Sequence, residues 1–155
     1  MFSKIDNMIA KVAEVIMVST LLMAIIFTLV QVLLRYVLHM SLPWSQEFIM
    51  MCFIYSIFSG AAYLAFNSEH LVVDLFDNPS EKLEKTLLVI ESIVVIVVSL
   101  VFVYFGIDLV SKNFESAQTL ASIPIKRAWL YLSVPISSSI IVYFYIRKLV
   151  KICRG

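Results

Sequence analysis

Four long apolar runs, separated by short polar segments, make up most of this 155-residue chain. The runs are Val15–Leu34, Phe48–Phe66, Ser92–Ile107 and Ala128–Ile146, and none of them contains a charged residue. A helix needs roughly 20 residues to cross the hydrocarbon core of a bilayer, which is about 30 Å thick. The third run reaches that length as Thr86–Val110 if the flanking Glu91 and Asp108 lie near its ends. The pattern predicts an all-α integral membrane protein with four transmembrane helices.

The approximate spans are 12–37, 44–66, 86–110 and 126–147, within a single domain covering residues 1–155. Hydrophobic residues form 61% of the chain and charged residues 15%, against about a quarter charged in soluble domains. The first run is longer than the roughly 7–15 apolar residues of a signal peptide, and no small-x-small cleavage site follows it, so an uncleaved membrane helix is expected. A net charge of +1 gives no reason to expect nucleic-acid binding.

Lysine and arginine are distributed unequally between the two sides of the membrane that the four spans define. One side holds Lys4, Lys11, Lys82, Lys85, Arg147, Lys148, Lys151 and Arg154, and the other holds Arg35, Lys112, Lys126 and Arg127. Cytoplasmic loops carry the excess of Lys and Arg. Both termini are therefore predicted to be cytoplasmic, and Trp44 and Trp129 then fall at the outer interface, where amphipathic rings are enriched.

Proline and capping residues predict where helices begin and where one is interrupted. Asn78-Pro79-Ser80-Glu81 has an N-cap residue, a proline at the first helical position and an acidic residue at the third, so the third helix should begin near Pro79. Pro135 lies inside the fourth span and removes one backbone hydrogen bond to the Tyr131 carbonyl, which predicts a kink. A tolerated membrane proline and a functional hinge both explain this residue.

Polar groups at membrane depth are the first candidates for chemistry, because a charge at the bilayer centre costs at least about 2.5–3.5 kcal/mol. These groups are Glu14, Gln31, Arg35, Glu47, Glu91 and Asp108. Each lies within about two turns of a predicted helix end, which disfavours a proton relay or ion path through this chain. Snorkelling to the interface or pairing within the protein explains them, and an Arg35–Glu47 pair at the outer side is expected to be structural.

No catalytic or cofactor-binding constellation is recognisable. His39 and His70 are predicted to lie on opposite sides of the membrane, so they cannot ligate one haem iron. Cys52 and Cys153 are predicted at different depths, which makes a mutual disulfide unfavourable. There is no phosphate-binding glycine loop, no Cys/His metal spacing and no carboxylate pair beside a nucleophile. No enzymatic activity, cofactor or metal is therefore predicted.

Two further patterns predict contacts with other helices or with a partner. Ser56-x-x-x-Gly60 with Ala61 and Ala62, and Gly106 on the third helix, are small residues that let helix backbones approach closely, within the bundle or with another subunit. His70 and Asp74 are four residues apart and would share one face of a helix. That segment is either a short interfacial helix docking on a neighbour or a plain loop.

The chain resembles the small membrane subunit (DctQ-type) of tripartite ATP-independent periplasmic (TRAP) transporters along nearly its whole length. The matching features are Gln31-x-x-x-Arg35-Tyr36-Val37, Leu42-Pro43-Trp44-Ser45-Gln46-Glu47, Gly60-Ala61-Ala62, Glu69-His70-Leu71-x-x-Asp74, Ile123-Pro124, Trp129-x-Tyr131 and Val134-Pro135-Ile136. Two positions depart from the family pattern. Gln46 stands where a second acidic residue is frequent, and Ser137 stands where glycine commonly follows Pro-Ile.

The resemblance implies a small scaffold subunit in the bacterial inner membrane, in a heterodimer with a large multi-span subunit that carries the substrate and sodium sites. A periplasmic substrate-binding protein would deliver an organic acid of the C4-dicarboxylate or sialic acid type, and membrane lipids would surround the complex. The candidate partner and scaffold residues are Arg35, Trp44, Glu47, His70, Asp74, Lys126 and Arg127.

Other classes of membrane protein compete with this interpretation. The chain could be a non-transporting anchor or accessory subunit of another membrane complex, including a respiratory one. A self-sufficient homodimeric exporter would need an acidic residue near mid-helix, and Glu14 is predicted to lie too close to the cytoplasmic end.

Overall fold

The structure is a computed structural model that describes residues 4–40, 42–67, 81–116, 119–120, 122 and 124–154. Its helices are α1 (Lys4–Val37), α2 (Pro43–Asn67), α3 (Glu81–Glu115), the short α4 (Ala128–Tyr131) and α5 (Ser133–Arg154). Among these described residues, four segments are long and apolar enough to cross a membrane, the fourth formed by α4 and α5 together. This confirms the all-α membrane fold, and the cytoplasmic location of both termini stays a prediction.

The helices pack mainly in the order α1, α2, α5, α3, so α1 and α3 lie on either side of a central pair. Small residues line these contacts. Buried examples are Ala10, Ala13 and Ala24 on α1, Cys52, Ser56, Ser59 and Ala62 on α2, Ser92 and Ser99 on α3, and Ser133, Ser137 and Ser138 on α5. Most large apolar side chains face outward instead, because lipid solvates them as well as protein does.

The predicted small-residue faces form contacts between helices of this chain. On α2, the Ser56 hydroxyl donates to the Met17 carbonyl of α1 at 3.2 Å, and a Cβ at Gly60 would lie 3.0 Å from the Met17 Sδ. On α3, a Cβ at Gly106 would lie 3.1 Å from the Cδ of Pro135 on α5. Gly106 therefore allows α3 to approach the Pro135 ring closely, and Gly60 leaves room for the Met17 side chain.

Pro135 explains the division between α4 and α5. It is the third residue of α5, and α4 ends at Tyr131, four residues before it. Because proline has no N–H, it cannot bond to the Tyr131 carbonyl, and the helix is interrupted at Leu132. The irregularity predicted at Pro135 thus appears one turn earlier, and the Ser139 hydroxyl donates to the Pro135 carbonyl at 2.7 Å.

A left-handed histidine ends α1. His39 has φ 55°, and the Met40 N–H reaches back to the Leu34 carbonyl at 3.1 Å. Left-handed backbone costs an L-residue roughly 1–2 kcal/mol, and glycine avoids this cost. His39→Gly is therefore expected to raise the free energy of unfolding by about 1 kcal/mol, whereas the β-branched His39→Val should lower it.

Unfolding by SDS in a mild detergent, followed by circular dichroism, measures this difference. Leu38→Val is the matched control at a neighbouring exposed position whose φ is not positive. Equal stability of the glycine and valine variants would show that the left-handed conformation is not needed in solution.

Candidate functional site

At the end of the helices that is predicted to face outward, called the outer end below, α2 binds residues of the segment between α3 and α4. Glu47, in the first turns of α2, accepts the backbone N–H of Ser122 on its Oε2 at 3.0 Å. Two turns further along α2, the Tyr55 hydroxyl donates to the Trp129 carbonyl at 2.7 Å. These two bonds hold the described residues of the segment 119–127 (119–120, 122 and 124–127), called the outer loop below, beside the start of α2.

The outer loop places two cations on an exposed rim. Its ends are joined by the Leu120 N–H, which donates to the Ile125 carbonyl at 2.9 Å. The Lys126 ammonium lies 5.4 Å from the centre of the Phe114 ring, within the range of a cation–π contact. Lys126 and the following Arg127 are both exposed.

The structure brings most of the candidate residues named from the sequence to this end. Trp44 is partly exposed and packs edge-on against Phe27, with ring centres 6.2 Å apart. Arg35 is exposed in the last turn of α1. Among the described residues it forms no ion pair with Glu47, so that predicted pairing is wrong: the carboxylate is turned toward the outer loop. His70 and Asp74 lie outside the described residues.

Removing the Glu47 carboxylate should release the outer loop. A hydrogen bond to a charged acceptor contributes about 1.5–3 kcal/mol, and solvent at this exposed site favours the lower end. Glu47→Ala is therefore expected to speed hydrogen exchange of the Ser122 amide about tenfold or more. Exchange measured by mass spectrometry tests this, with the exposed neighbour Gln46→Ala as control. Unchanged Ser122 exchange would contradict the anchoring role.

At the opposite end, which is predicted to be cytoplasmic and is called the inner end below, a buried carboxylate joins α1 to α5. Asp6 is fully buried, and it accepts hydrogen bonds from the Tyr143 hydroxyl at 3.0 Å and from the Arg147 guanidinium. Arg147 also lies over the Tyr143 ring, 5.7 Å from its centre. These three residues are called the α1 clasp below.

A second cluster joins α3 to the other side of α5. Glu91 accepts the Tyr145 hydroxyl at 3.1 Å and the Lys148 ammonium at 3.3 Å. The Lys148 side chain is only 8% exposed. Glu91, Tyr145 and Lys148 form the α3 clasp. Because consecutive residues of a helix point about 100° apart, Arg147 and Lys148 reach two different helices, α1 and α3, from one turn of α5.

Pairing therefore explains the acidic residues at membrane depth better than snorkelling alone. Glu14 and Asp108 pair with lysines on their own helices, at 3.2 Å to Lys11 and 2.6 Å to Lys112, and both pairs are largely exposed. Glu47 and Glu91 bind other helices or loops, as described above.

Reasoning from the sequence missed Asp6, and it used Arg147 and Lys148 only to predict orientation. A signal was present in α5. Tyr143 and Arg147 are four residues apart, and Tyr145 and Lys148 are three apart, so each pair shares one face of the helix. Two hydroxyl–cation pairs on adjacent faces indicate carboxylate partners on two neighbouring helices.

An apolar groove of about 290 Å³ lies between α1, α2 and α5. Its lining consists of Met8, Ile9, Val12, Ala13, Ile16, Ser59, Ala62, Ile136, Ser137 and Ile140, with no ionisable side chain. Within the described part of the chain, no group of three or more His, Cys, Asp or Glu residues could hold a metal ion. The groove itself therefore offers an apolar packing surface.

The chain is similar in sequence to components of TRAP transporters. The family model described as "Tripartite ATP-independent periplasmic transporters, DctQ component" matches residues 15–155. A protein of Haemophilus influenzae (strain Rd), named as a TRAP transporter small permease protein, is 28% identical over 146 residues, covering 94% of this chain and 86% of the relative. The sialic acid TRAP transporter permease protein SiaT of H. influenzae (strain 86-028NP) is 28% identical over 131 residues, which cover 83% of this chain but 21% of SiaT.

Proposed function

Because the chain belongs to the DctQ family of TRAP transporter components, we propose that it is the small scaffold subunit of a sodium-driven transporter that imports an organic acid with a periplasmic binding protein. It is a multi-pass membrane protein, and the family works with a large TRAP permease subunit. In this proposal the large subunit carries the substrate and sodium sites, and this chain enlarges the stationary part of the complex in the bacterial inner membrane, with both termini cytoplasmic.

The observation that supports this proposal most is that acidic side chains of this chain bind other parts of the same chain. Asp6 and Glu91 are committed to the two clasps that join neighbouring helices. Glu47 is committed to the outer loop. A subunit that bound a carboxylate substrate would need polar groups converging on a cavity near mid-membrane, whereas the described groove is lined by apolar and small residues.

The substrate class and the energy source rest on the family and on one relative. SiaT is named for sialic acid and matches most of this chain, which supports an organic acid as cargo. C4-dicarboxylates are the other substrate class that the resemblance implies. Sodium coupling likewise follows from the resemblance, and neither property is expected to depend on residues of this chain.

The outer end is the surface proposed to face the binding protein. Lys126 and Arg127 are exposed on the outer loop, Arg35 is exposed in the last turn of α1, and Trp44 is partly exposed at the start of α2. These cations would steer a soluble partner with an acidic contact patch. His70 and Asp74, on the inner side in this orientation, remain candidates for contact with the large subunit.

Reconstitution tests the proposal. The chain is co-expressed with a large TRAP subunit encoded beside it, purified through an affinity tag on this chain, and placed in liposomes with the matching binding protein. Uptake of sialic acid and of succinate is measured with and without an inward sodium gradient. We expect the two membrane subunits to co-purify at a constant ratio, and uptake to require both subunits, the binding protein and sodium.

Two outcomes would contradict the proposal. If the chain purifies alone after co-expression, the scaffold role fails. If liposomes that contain this chain without the large subunit accumulate substrate, the chain itself must carry the translocation site.

A further inference from the structure

The middles of the apolar runs of α1 and α2 do not lie side by side where these two helices pack. Met17 of α1 lies beside Ser56 of α2, and Phe27 lies against Phe48 with ring centres 4.7 Å apart. The two helices are antiparallel, so the middle of the α1 run lies beside about residue 50 of α2. That position is at the outer end of the α2 run, roughly seven residues or 10 Å along the axis from its middle.

The same displacement continues across the rest of the structure. Phe66 of α2 packs on Phe144 of α5, with ring centres 5.4 Å apart, and Gly106 of α3 packs on Pro135 of α5. When the helices are taken in their packing order α1, α2, α5, α3, these contacts place the middle of each run further inward than the middle of the run before it. With the third run taken as Thr86–Val110, whose middle is Val98, the displacement from α1 to α3 amounts to about 16 residues, or about 24 Å along the helix axes at 1.5 Å per residue.

An upright arrangement would therefore place charges in the hydrocarbon. The same contacts put Asp108 of α3 level with about Val18 of α1, while the α1 run begins just after Glu14. Helices perpendicular to the membrane would share a charge-free zone less than about 10 Å thick, against a hydrocarbon core of about 30 Å. Glu14 and Asp108, each with its lysine, lie on largely exposed surfaces, so lipid would surround them.

We propose that the chain sits obliquely in the bilayer, with its helices inclined by roughly 40° to the membrane normal. The band of lipid-facing apolar side chains then runs obliquely across the four helices. Neighbouring helix axes are about 8–10 Å apart, so α1 and α3, which are three spacings apart, are separated laterally by nearly the same distance as the axial displacement of about 24 Å. The ratio of the axial displacement to this lateral distance corresponds to an inclination of roughly 40°. The inclination brings all four apolar runs to one depth.

The helix lengths agree with this seating independently. α1 has 34 residues and α3 has 35, which correspond to about 50 Å each, well beyond the thickness of the hydrocarbon core. Long membrane helices accommodate this excess by tilting, by about 0–40° in known structures.

The slanted seating constrains any membrane partner. Membrane helices commonly pack at crossing angles near 20°, so a partner must present helices inclined in a similar direction. Applied to the large TRAP subunit, this consequence rests on the proposed function, whereas the seating itself concerns only this chain.

Spin labels at single cysteines measure the seating directly. Starting from a variant that carries Cys52→Ala and Cys153→Ser, cysteine is introduced as Ile25→Cys, Ile57→Cys or Val98→Cys, close to the middles of three spans. These positions are 49%, 58% and 48% exposed, so the labels should not disturb packing. Depth in lipid vesicles is read from the relative accessibility of each label to oxygen and to a nickel chelate, calibrated with labelled lipids.

The oblique seating predicts that these three labels lie at nearly equal depth. An upright chain would instead separate Ile25 from Val98 by about 24 Å. A second pair of labels gives the opposite expectation for the two arrangements. Ile16→Cys and Phe105→Cys, 37% and 62% exposed, are level along the helix axes, so an upright chain places them at equal depth, whereas the oblique chain separates them by more than about 15 Å.

Equal depth for Ile16 and Phe105, or a large separation of Ile25 from Val98, would overturn the inference. The two pairs respond in opposite directions, so a general error of depth calibration cannot imitate either result. The labels report on this chain whether or not a large subunit binds, and a failure of the proposed function would therefore leave this measurement intact.

Discussion

Replacing Glu91 by leucine is expected to lower the free energy of unfolding by about 3–5 kcal/mol, because it leaves a buried cation without its partner. The Lys148 side chain is 8% exposed, and its ammonium lies 3.3 Å from both oxygens of the Glu91 carboxylate. Lys148→Leu should cost less. It leaves a Glu91 side chain that is 28% exposed and still accepts the Tyr145 hydroxyl.

The double variant Glu91→Leu/Lys148→Leu should recover most of the loss, since replacing both members of a buried pair with apolar side chains is often nearly neutral. Unfolding by SDS in a mild detergent measures all three variants. Asp108→Leu is the matched control, because its partner Lys112 is 70% exposed and surface pairs contribute little. If Glu91→Leu is no more destabilising than this control, the α3 clasp does not hold the helices together.

Gly106→Leu is expected to force α3 away from α5 and to lower stability by about 1–3 kcal/mol, the usual effect of overfilling a packed contact. A Cβ at this position would meet the Pro135 ring, at 3.1 Å from Cδ and 3.4 Å from both Cβ and N. The ring cannot rotate away, because it is part of the backbone. Co-purification with the large subunit should fall in parallel, since the scaffold surface would change shape.

Gly60→Ala is the informative comparison. Its Cβ would meet the Met17 side chain, at 3.0 Å from Sδ and 3.5 Å from Cγ, and a thioether can move aside. Alanine also favours the helix by about 0.5–1 kcal/mol over glycine. We therefore expect Gly60→Ala to be neutral or stabilising and Gly106→Ala to be destabilising. Equal effects at both glycines would show that the rigidity of the neighbour does not decide the outcome.

The sequence predicted the parts of the candidate site that depend on position along the chain. It placed Trp44, Glu47, Lys126 and Arg127 at the same end of the helices, because each adjoins the outer end of an apolar run. It did not predict that Glu47 binds the Ser122 N–H instead of Arg35. Every residue except proline carries a backbone N–H, so such a donor leaves no mark in a single sequence.

The two clasps also depend on contacts between segments that are distant in the sequence, and the sequence alone did not predict them. Asp6 and Arg147 are separated by almost the whole chain, and either one alone resembles an ordinary interfacial charge. Their pairing requires α1 and α5 to meet at the inner end, although α2 lies between them in the main packing order α1, α2, α5, α3. Four apolar helices of similar length can pack in several orders, and hydropathy does not distinguish between them.

By itself, the sequence determined that this protein has four membrane-crossing helices with small-residue faces and with ionisable groups near the helix ends. These properties follow from the length and chemistry of each segment, because the bilayer acts on every helix separately. Only the tertiary structure decided which helices are neighbours, which charges meet and how the apolar runs are displaced from one helix to the next. Those features depend on close contacts such as Gly106 with Pro135, where the shapes of two distant segments must fit each other.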